Sequence, residues 1–278
     1  MLNELKILFI GAGKMATAIA GGLLKGTDYL GAVNPENITA FDVSEEALEA
    51  FVQNCAGVNT ESKDLINVFN NADIVILAVK PQYCADALVE FKKLINNVDQ
   101  KLLISIVAGL TIEKLIDLSG CERIVRVMPN TPALINMAAT GYAASANAKV
   151  ADLKIAEAIF NCSGLAINVV ENKLNAVTGV SGSGPAYVFE FIQALTDGGV
   201  LMGLTRDEAY KLAVQTVKGS AMLAEESNIH PMILKEMVTS PGGTTATALQ
   251  HLKENSFSSA VSGAVKAATL KAEELGAK

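Results

Sequence analysis

One short stretch near the start decides most of what this chain can become. Leu5–Ile10 is an apolar run suited to a buried parallel strand. It breaks into Gly11-Ala12-Gly13-Lys14-Met15-Ala16 and then into an apolar helical stretch reaching about Leu24. A G-x-G-x-x-A between a strand and a helix is the fingerprint of a dinucleotide-binding turn. Gly11 permits the tight turn, Gly13 lets a pyrophosphate reach the helix N-terminus, and Ala16 keeps the helix close to the strand. Ile10, Gly11, Ala12, Gly13, Lys14 and Met15 are therefore candidate cofactor contacts.

The elements that follow suit an open α/β sheet. Ile38–Asp42 reads as the second strand, with Asp42 at its C-terminal end. Two readings stand for Asp42. It meets an adenosine ribose, or it caps the helix that begins near Ser44. Glu45–Cys55 has helical spacing, and Gly57-Val58-Asn59 suits a short strand. Asp73–Pro81 is a further buried strand ending in Lys80 and a helix-breaking proline, followed by a helix to about Asn96. Strand C-termini in such sheets face the ligand crevice, so Ala78, Val79, Lys80 and Pro81 are expected beside the cofactor. The strand and turn at Leu102–Gly109 add Ala108 by the same argument. Arg123–Met128 is the next strand. Pro129-Asn130-Thr131-Pro132 breaks it and makes Asn130 and Thr131 either ligand contacts or parts of a structural turn. Gly141–Ser145 suits a strand, Val150–Phe160 a helix, and Ala166–Val170 a last strand. From Glu171 the strand alternation gives way to helical periods. The expected organisation is a dinucleotide-binding domain over 1–170 and an all-α domain over 171–278.

The helical part opens with a glycine-rich stretch, where Gly182, Gly184 and Pro185 suggest a tight turn. Long helices are expected at about Ala186–Met202 and from Thr205 to about Ser227, apolar on more than one face. Such surface needs a partner, and helix–helix dimerisation is the expectation. Further on comes Thr239-Ser240-Pro241-Gly242-Gly243-Thr244-Thr245, running into a helix. The first N–H groups of a helix have no internal partner and carry partial positive charge, so Ser240, Gly242, Gly243, Thr244 and Thr245 form a candidate pocket for a small anion.

Composition narrows the chemistry. The formal charge of −7 argues against nucleic acid or an anionic membrane as partner. No apolar run approaches the ~18 residues needed to cross a bilayer. The N-terminus leads straight into a strand rather than resembling a signal peptide, so a cytoplasmic protein is expected. Its four scattered cysteines suit free thiols in a reducing compartment. The two histidines, His230 and His251, lack ligand spacing, so neither a metal centre nor a histidine relay is expected. Carbonyl reduction by a nicotinamide cofactor normally needs a His or Lys acid. The second half offers none well placed, and lacks the Lys-x-x-x-Asn expected of β-hydroxyacid dehydrogenases after Gly184. An imine whose nitrogen already carries the proton removes that need, and a cyclic imino acid suits a Gly-Gly-Thr anion site.

Over its whole length the chain resembles the pyrroline-5-carboxylate reductases. The resemblance rests on Phe9–Ala16, Leu77–Pro81, Arg126–Pro132, Val177–Tyr187 and Val238–Thr245, in that order. It implies reduction of 1-pyrroline-5-carboxylate to L-proline with NADH or NADPH, by an interlocked homodimer that in the family often assembles into decamers. It further implies that the substrate carboxylate is held at Gly243 and Thr244, and the imine nitrogen by Thr245. One departure concerns Asp42, since many members carry a small or basic residue there to receive the NADP 2′-phosphate. Two other readings remain beside this one: a β-hydroxyacid dehydrogenase-like enzyme, and a protein that binds NAD(P)H without turnover.

Overall fold

The computed structural model describes residues 2–27, 31–93 and 101–277. They form two compact units, one of Met1–Ser183 with Ala267–Lys278, the other of Gly184–Lys266.

The first unit is built on an eight-stranded sheet in the order β3-β2-β1-β4-β5-β6-β7-β8. Its strands are β1 (Ile7–Ile10), β2 (Ile38–Phe41), β3 (Asn59–Glu61), β4 (Ile74–Leu77), β5 (Leu102–Ser105), β6 (Ile124–Met128), β7 (Ala138–Ala144) and β8 (Gly164–Asn168). Neighbours from β3 through β6 are parallel, β7 turns antiparallel to β6, and β8 runs parallel to β7. Every residue of β1 and β4 is buried, as expected of strands covered on both faces. Alternate residues feed two cores. Ile7, Phe9, Ile74 and Ile76 meet helices α1 (Lys14–Lys25), α2 (Glu45–Asn54) and α6 (Val150–Asn161) on one face. There Phe9 and Phe51 pack with ring centroids 6.0 Å apart. Leu8, Ile10, Val75 and Leu77 meet α3 (Leu65–Asn71), α4 (Pro81–Lys93) and α5 (Ile112–Ser119) on the other.

The differences from expectation have local causes. The strand expected at Gly57–Asn59 lies at β3, because Gly57 takes φ 86°, a turn conformation. The last strand begins at Gly164 rather than Ala166, since Gly164 starts the pairing with Ala138. The final residues of the helix expected to reach Asn96 lie outside the described residues. No tight turn interrupts Gly182–Pro185. A short helix α7 (Leu174–Val177) passes through a π-helical turn, Thr178–Gly182, and Gly184 begins α8 (Gly184–Leu201). A Cβ on Gly182 would stand 2.7 Å from Met128 Cε, so the glycine serves close packing there.

The second unit is helical. It holds α8, α9 (Arg206–Ser227), α10 (Pro231–Met237), α11 (Thr244–Glu254) and the first part of α12 (Phe257–Ala277). Thr205 starts α9 with a capping box, its hydroxyl accepting from Glu208 N–H while the Glu208 carboxylate accepts from Thr205 N–H. Gly199 lets α8 approach α9 closely, because a Cβ there would lie 2.9 Å from that of Ala209. The last residues of α12 return to the first unit, where Lys114 Nζ donates to the Gly276 carbonyl at 2.9 Å. All four cysteines are free and buried, and burial pushes the Cys84 thiol up to about 12. No described helix is long and apolar enough to cross a membrane.

Candidate active site

The glycine loop leaves β1 at Ile10 and enters α1 at Lys14. Gly11 has φ 100°, a conformation that side chains rarely adopt. A Cβ there would meet the Ala78 carbonyl oxygen at 2.7 Å, so the loop lies hard against the end of β4. Gly13 is the N-cap of α1, with extended backbone and no side-chain cap. A Cβ on Gly13 would meet nothing within 4 Å. That open space at a helix N-terminus with no capping side chain fits an approaching pyrophosphate. Lys14 is exposed, Met15 half-buried and Ala12 buried.

Asp42 directly follows β2. Its Oδ2 accepts from Ala12 N–H at 2.8 Å, and its Oδ1 from Ser44 N–H at 2.9 Å. The cap of α2 is Ser44, whose hydroxyl accepts from Ala47 N–H. Asp42 therefore ties the second strand to the glycine loop rather than capping the helix. Each carboxylate oxygen keeps a further lone pair.

Ala78 and Val79 are half-buried at the end of β4, while Lys80 is exposed and Pro81 opens α4. Within the first unit, Pro81 and Ala108 border a cavity of about 910 Å³ together with Lys114, Arg126, Met128 and Thr178. Arg126 is 9% exposed and bonds Glu171 Oε1 at 3.1 Å, while the same oxygen accepts from Ile112 N–H. This pair was not among the expected site residues. Its signal was an arginine inside the apolar strand Ile-Val-Arg-Val-Met. Asn130 is buried and bonded at both ends of its amide, donating to the Ser181 carbonyl and accepting from Ala139 N–H, each at 3.0 Å. It joins the exit of β6 to β7 and to the π turn.

In the second unit, Ser240-Pro241-Gly242-Gly243 closes a turn in which Gly243 N–H donates to the Ser240 carbonyl at 3.0 Å. Proline second and Gly242 third at φ 71° are the marks of a type II turn. The turn delivers the chain into α11 with Gly243 as a bare N-cap. The N–H groups of Thr244, Thr245 and Ala246 and the hydroxyls of Thr244 and Thr245 have no partner among the described residues. Thr247, by contrast, returns its hydroxyl to the Gly243 carbonyl. No titratable side chain lies between Val238 and Gln250. The loop can bind an anion and hold a polar atom, but contributes no acid or base of its own.

The chain is 45% identical to the pyrroline-5-carboxylate reductase of Methanosarcina acetivorans, with 100% of each chain covered. It belongs to the pyrroline-5-carboxylate reductase family. The Escherichia coli (strain K12) family member is 41% identical, covering 98% of both chains. The crystal structure of the Plasmodium falciparum pyrroline carboxylate reductase with NADP bound matches with a TM-score of 0.86 at 35% identity, over 99% of this chain and 100% of that one. Residues 171–275 match the model described as pyrroline-5-carboxylate reductase dimerisation, and residues 6–109 the one described as NADP oxidoreductase, coenzyme F420-dependent. The match over 6–109 spans the glycine loop, Asp42 and Ala78–Pro81, and the match over 171–275 spans Ser240–Thr245. Among the described residues no His, Cys, Asp and Glu group stands together as a metal centre.

Proposed function

We propose that the protein is a pyrroline-5-carboxylate reductase, reducing the C=N bond of 1-pyrroline-5-carboxylate to give L-proline, the last step of proline biosynthesis. The observation that carries this reading is the full-length match at 45% identity. The uncapped N-terminus of α11, with its unpartnered threonine hydroxyls, supplies fitting chemistry.

The dinucleotide, NADH or NADPH, is assigned to Ile10–Met15, with the pyrophosphate at the N-terminus of α1. Asp42 receives ribose hydroxyls, Ala78–Pro81 and Ala108 border the nicotinamide end, and Asn130 shapes the loop beside them. Bound there, the reduced nicotinamide supplies the hydride. The Thr244 and Thr245 N–H groups, opened to ligand by Gly242 and Gly243, hold the substrate carboxylate, with Ser240 at its edge. The Thr245 hydroxyl hydrogen-bonds the imine nitrogen and fixes the ring so that one face of the C=N carbon is presented. Because the loop holds no acid, the proton on nitrogen arrives with the substrate or from water. The boundary at 171 marks the start of the dimerisation domain, and the working form is a homodimer, with a decamer of five dimers as the larger assembly. On this reading activity requires the assembled homodimer. A cytoplasmic location accords with the four free thiols.

The test is turnover by the full chain, followed as NAD(P)H oxidation together with proline formation. Turnover of 1-pyrroline-5-carboxylate without oxidation of β-hydroxyacids is expected. Cofactor binding without any turnover would leave the non-catalytic reading in its place.

A further inference from the structure

Strand β6 buries an arginine inside an apolar run. Arg126 alternates with Val125 and Val127 and shares the sheet face of Ile124 and Met128, the face that α3, α4 and α5 cover. At 9% exposure its guanidinium needs a partner. The Glu171 carboxylate supplies one, Oε1 accepting from Arg126 Nη1 at 3.1 Å and also from Ile112 N–H at 2.6 Å. Glu171 opens the 3₁₀ turn Glu171–Lys173 beyond β8, 59 residues along the chain from Ile112. Ile112 is the first residue of α5, where an N–H has no partner within the helix. The Thr111 cap accepts from Lys114 N–H, which leaves the Ile112 donor to Glu171. One carboxylate oxygen thus ties the start of α5 to the middle of the sheet.

The loop at 106–111, from β5 to α5, ends at that tie. At its other end Val107 N–H donates to the Ser105 hydroxyl at 3.3 Å. Ser105 is buried and stands in register with Arg126 across β5 and β6. The loop is therefore fastened at both ends from adjacent positions of the sheet. Between the fastenings Ala108 is exposed and Gly109 takes φ 83°. Ala108 borders the same cavity that Arg126 lines. A buried ion pair often adds little stability over well-packed apolar side chains, so what this pair contributes is placement of the loop.

We infer that Arg126 and Glu171 are positioning residues for hydride transfer, holding the 106–111 loop so that Ala108 stands against the nicotinamide. The inference rests on the cofactor placement proposed above.

Single-turnover kinetics with the full chain test it, following NAD(P)H oxidation by the cofactor-loaded enzyme at saturating 1-pyrroline-5-carboxylate. The amplitude counts folded, active sites, whereas the rate constant reports the geometry within each one. Glu171→Ala is expected to lower the rate constant by roughly tenfold or more, since a shift of about 1 Å at a reacting group can cost about 10²-fold. Glu171→Gln keeps both the reach and an acceptor for Ile112 N–H. It should stay within about threefold of the wild type, the scale of a hydrogen bond that loses its charge. Glu171→Asp keeps the charge but is one methylene short, and is expected to lose rate as the alanine variant does. It carries the test should the alanine variant fail to fold. The control Glu113→Ala removes an exposed carboxylate from the same first turn of α5 and should leave the rate constant unchanged. A wild-type enzyme that oxidises no NAD(P)H with this substrate would overturn the proposed function and this inference together. Wild-type turnover with an undiminished rate constant in the alanine or aspartate variant, whatever its amplitude or melting temperature, would overturn the inference alone.

Discussion

The Asp42 carboxylate accepts the Ala12 N–H at 2.8 Å, so the end of the second strand holds the glycine loop directly. On the proposed binding mode, this sets the charge of Asp42 beside the dinucleotide's ribose. A 2′-phosphate about 4 Å away would be repelled by about 4 kcal/mol at an effective dielectric near 20, before screening and rearrangement. We expect kcat/KM with NADH to equal or exceed that with NADPH. Asp42→Ser should raise the value for NADPH and lower it for NADH. A tenfold preference of the unmodified enzyme for NADPH would show that the carboxylate serves the loop alone.

Gly11 and Gly13 should fail in different ways. Gly11→Ala meets both a φ of 100° and a carbonyl 2.7 Å from the new Cβ, so it should lower the melting temperature as well as activity. Gly13→Ala meets no protein atom within 4 Å, so the melting temperature should hold. Its methyl instead intrudes on the proposed pyrophosphate site, and cofactor KM should rise roughly tenfold, the cost of a displaced charge-assisted hydrogen bond. Thermal unfolding and cofactor titration of the two variants separate these outcomes.

The Arg123–Asp152 pair is expected to contribute to the acid stability of the first unit. Asp152 is buried and accepts from Arg123 Nη2 at 2.6 Å, from Arg123 Nε at 3.1 Å and from Lys149 N–H at 2.8 Å. Burial pushes its carboxyl up, but the Arg123 and Lys149 hydrogen bonds outweigh this and hold it below the usual range. A folded-state value below the unfolded one gives stability that is complete above the unfolded value, ~4, and lost as pH falls through the folded value. Asp152→Ala should cost roughly 1–3 kcal/mol by removing the buried carboxylate that accepts from Arg123 and Lys149. Its melting temperature should also fall less steeply with acid than that of the wild type. Parallel acid limbs would contradict this.

The strand-turn-helix at Leu5–Leu24, the buried strand before Pro81 and the cap at Thr205 were legible because each is governed by neighbours in sequence. What was not legible depends on distant residues. The π turn at Thr178–Gly182 exists where Gly182 meets Met128, and Asn130 is oriented by Ser181 and Ala139. Asp42 offered two readings because nothing local shows that its partner is Ala12, while Ser44 takes the cap. The return of α12 to the first unit, fastened by Lys114, leaves no mark in the alanine-rich tail itself. At Ser240–Thr245, the helix start after Gly-Gly was legible in the sequence. The type II turn that aims it became visible only with Gly242 at φ 71°.

The role given to Thr245 is tested most directly by the steady-state kinetics of Thr245→Ala with 1-pyrroline-5-carboxylate. Its hydroxyl has no partner among the described residues, and no titratable group in the loop can replace it. The account predicts a fall in kcat of roughly 10²-fold, the scale of removing one hydrogen bond to the reacting group in the transition state. Affinity for NADH and NADPH should be unchanged and the fold intact. Wild-type kcat and kcat/KM in that variant would contradict it.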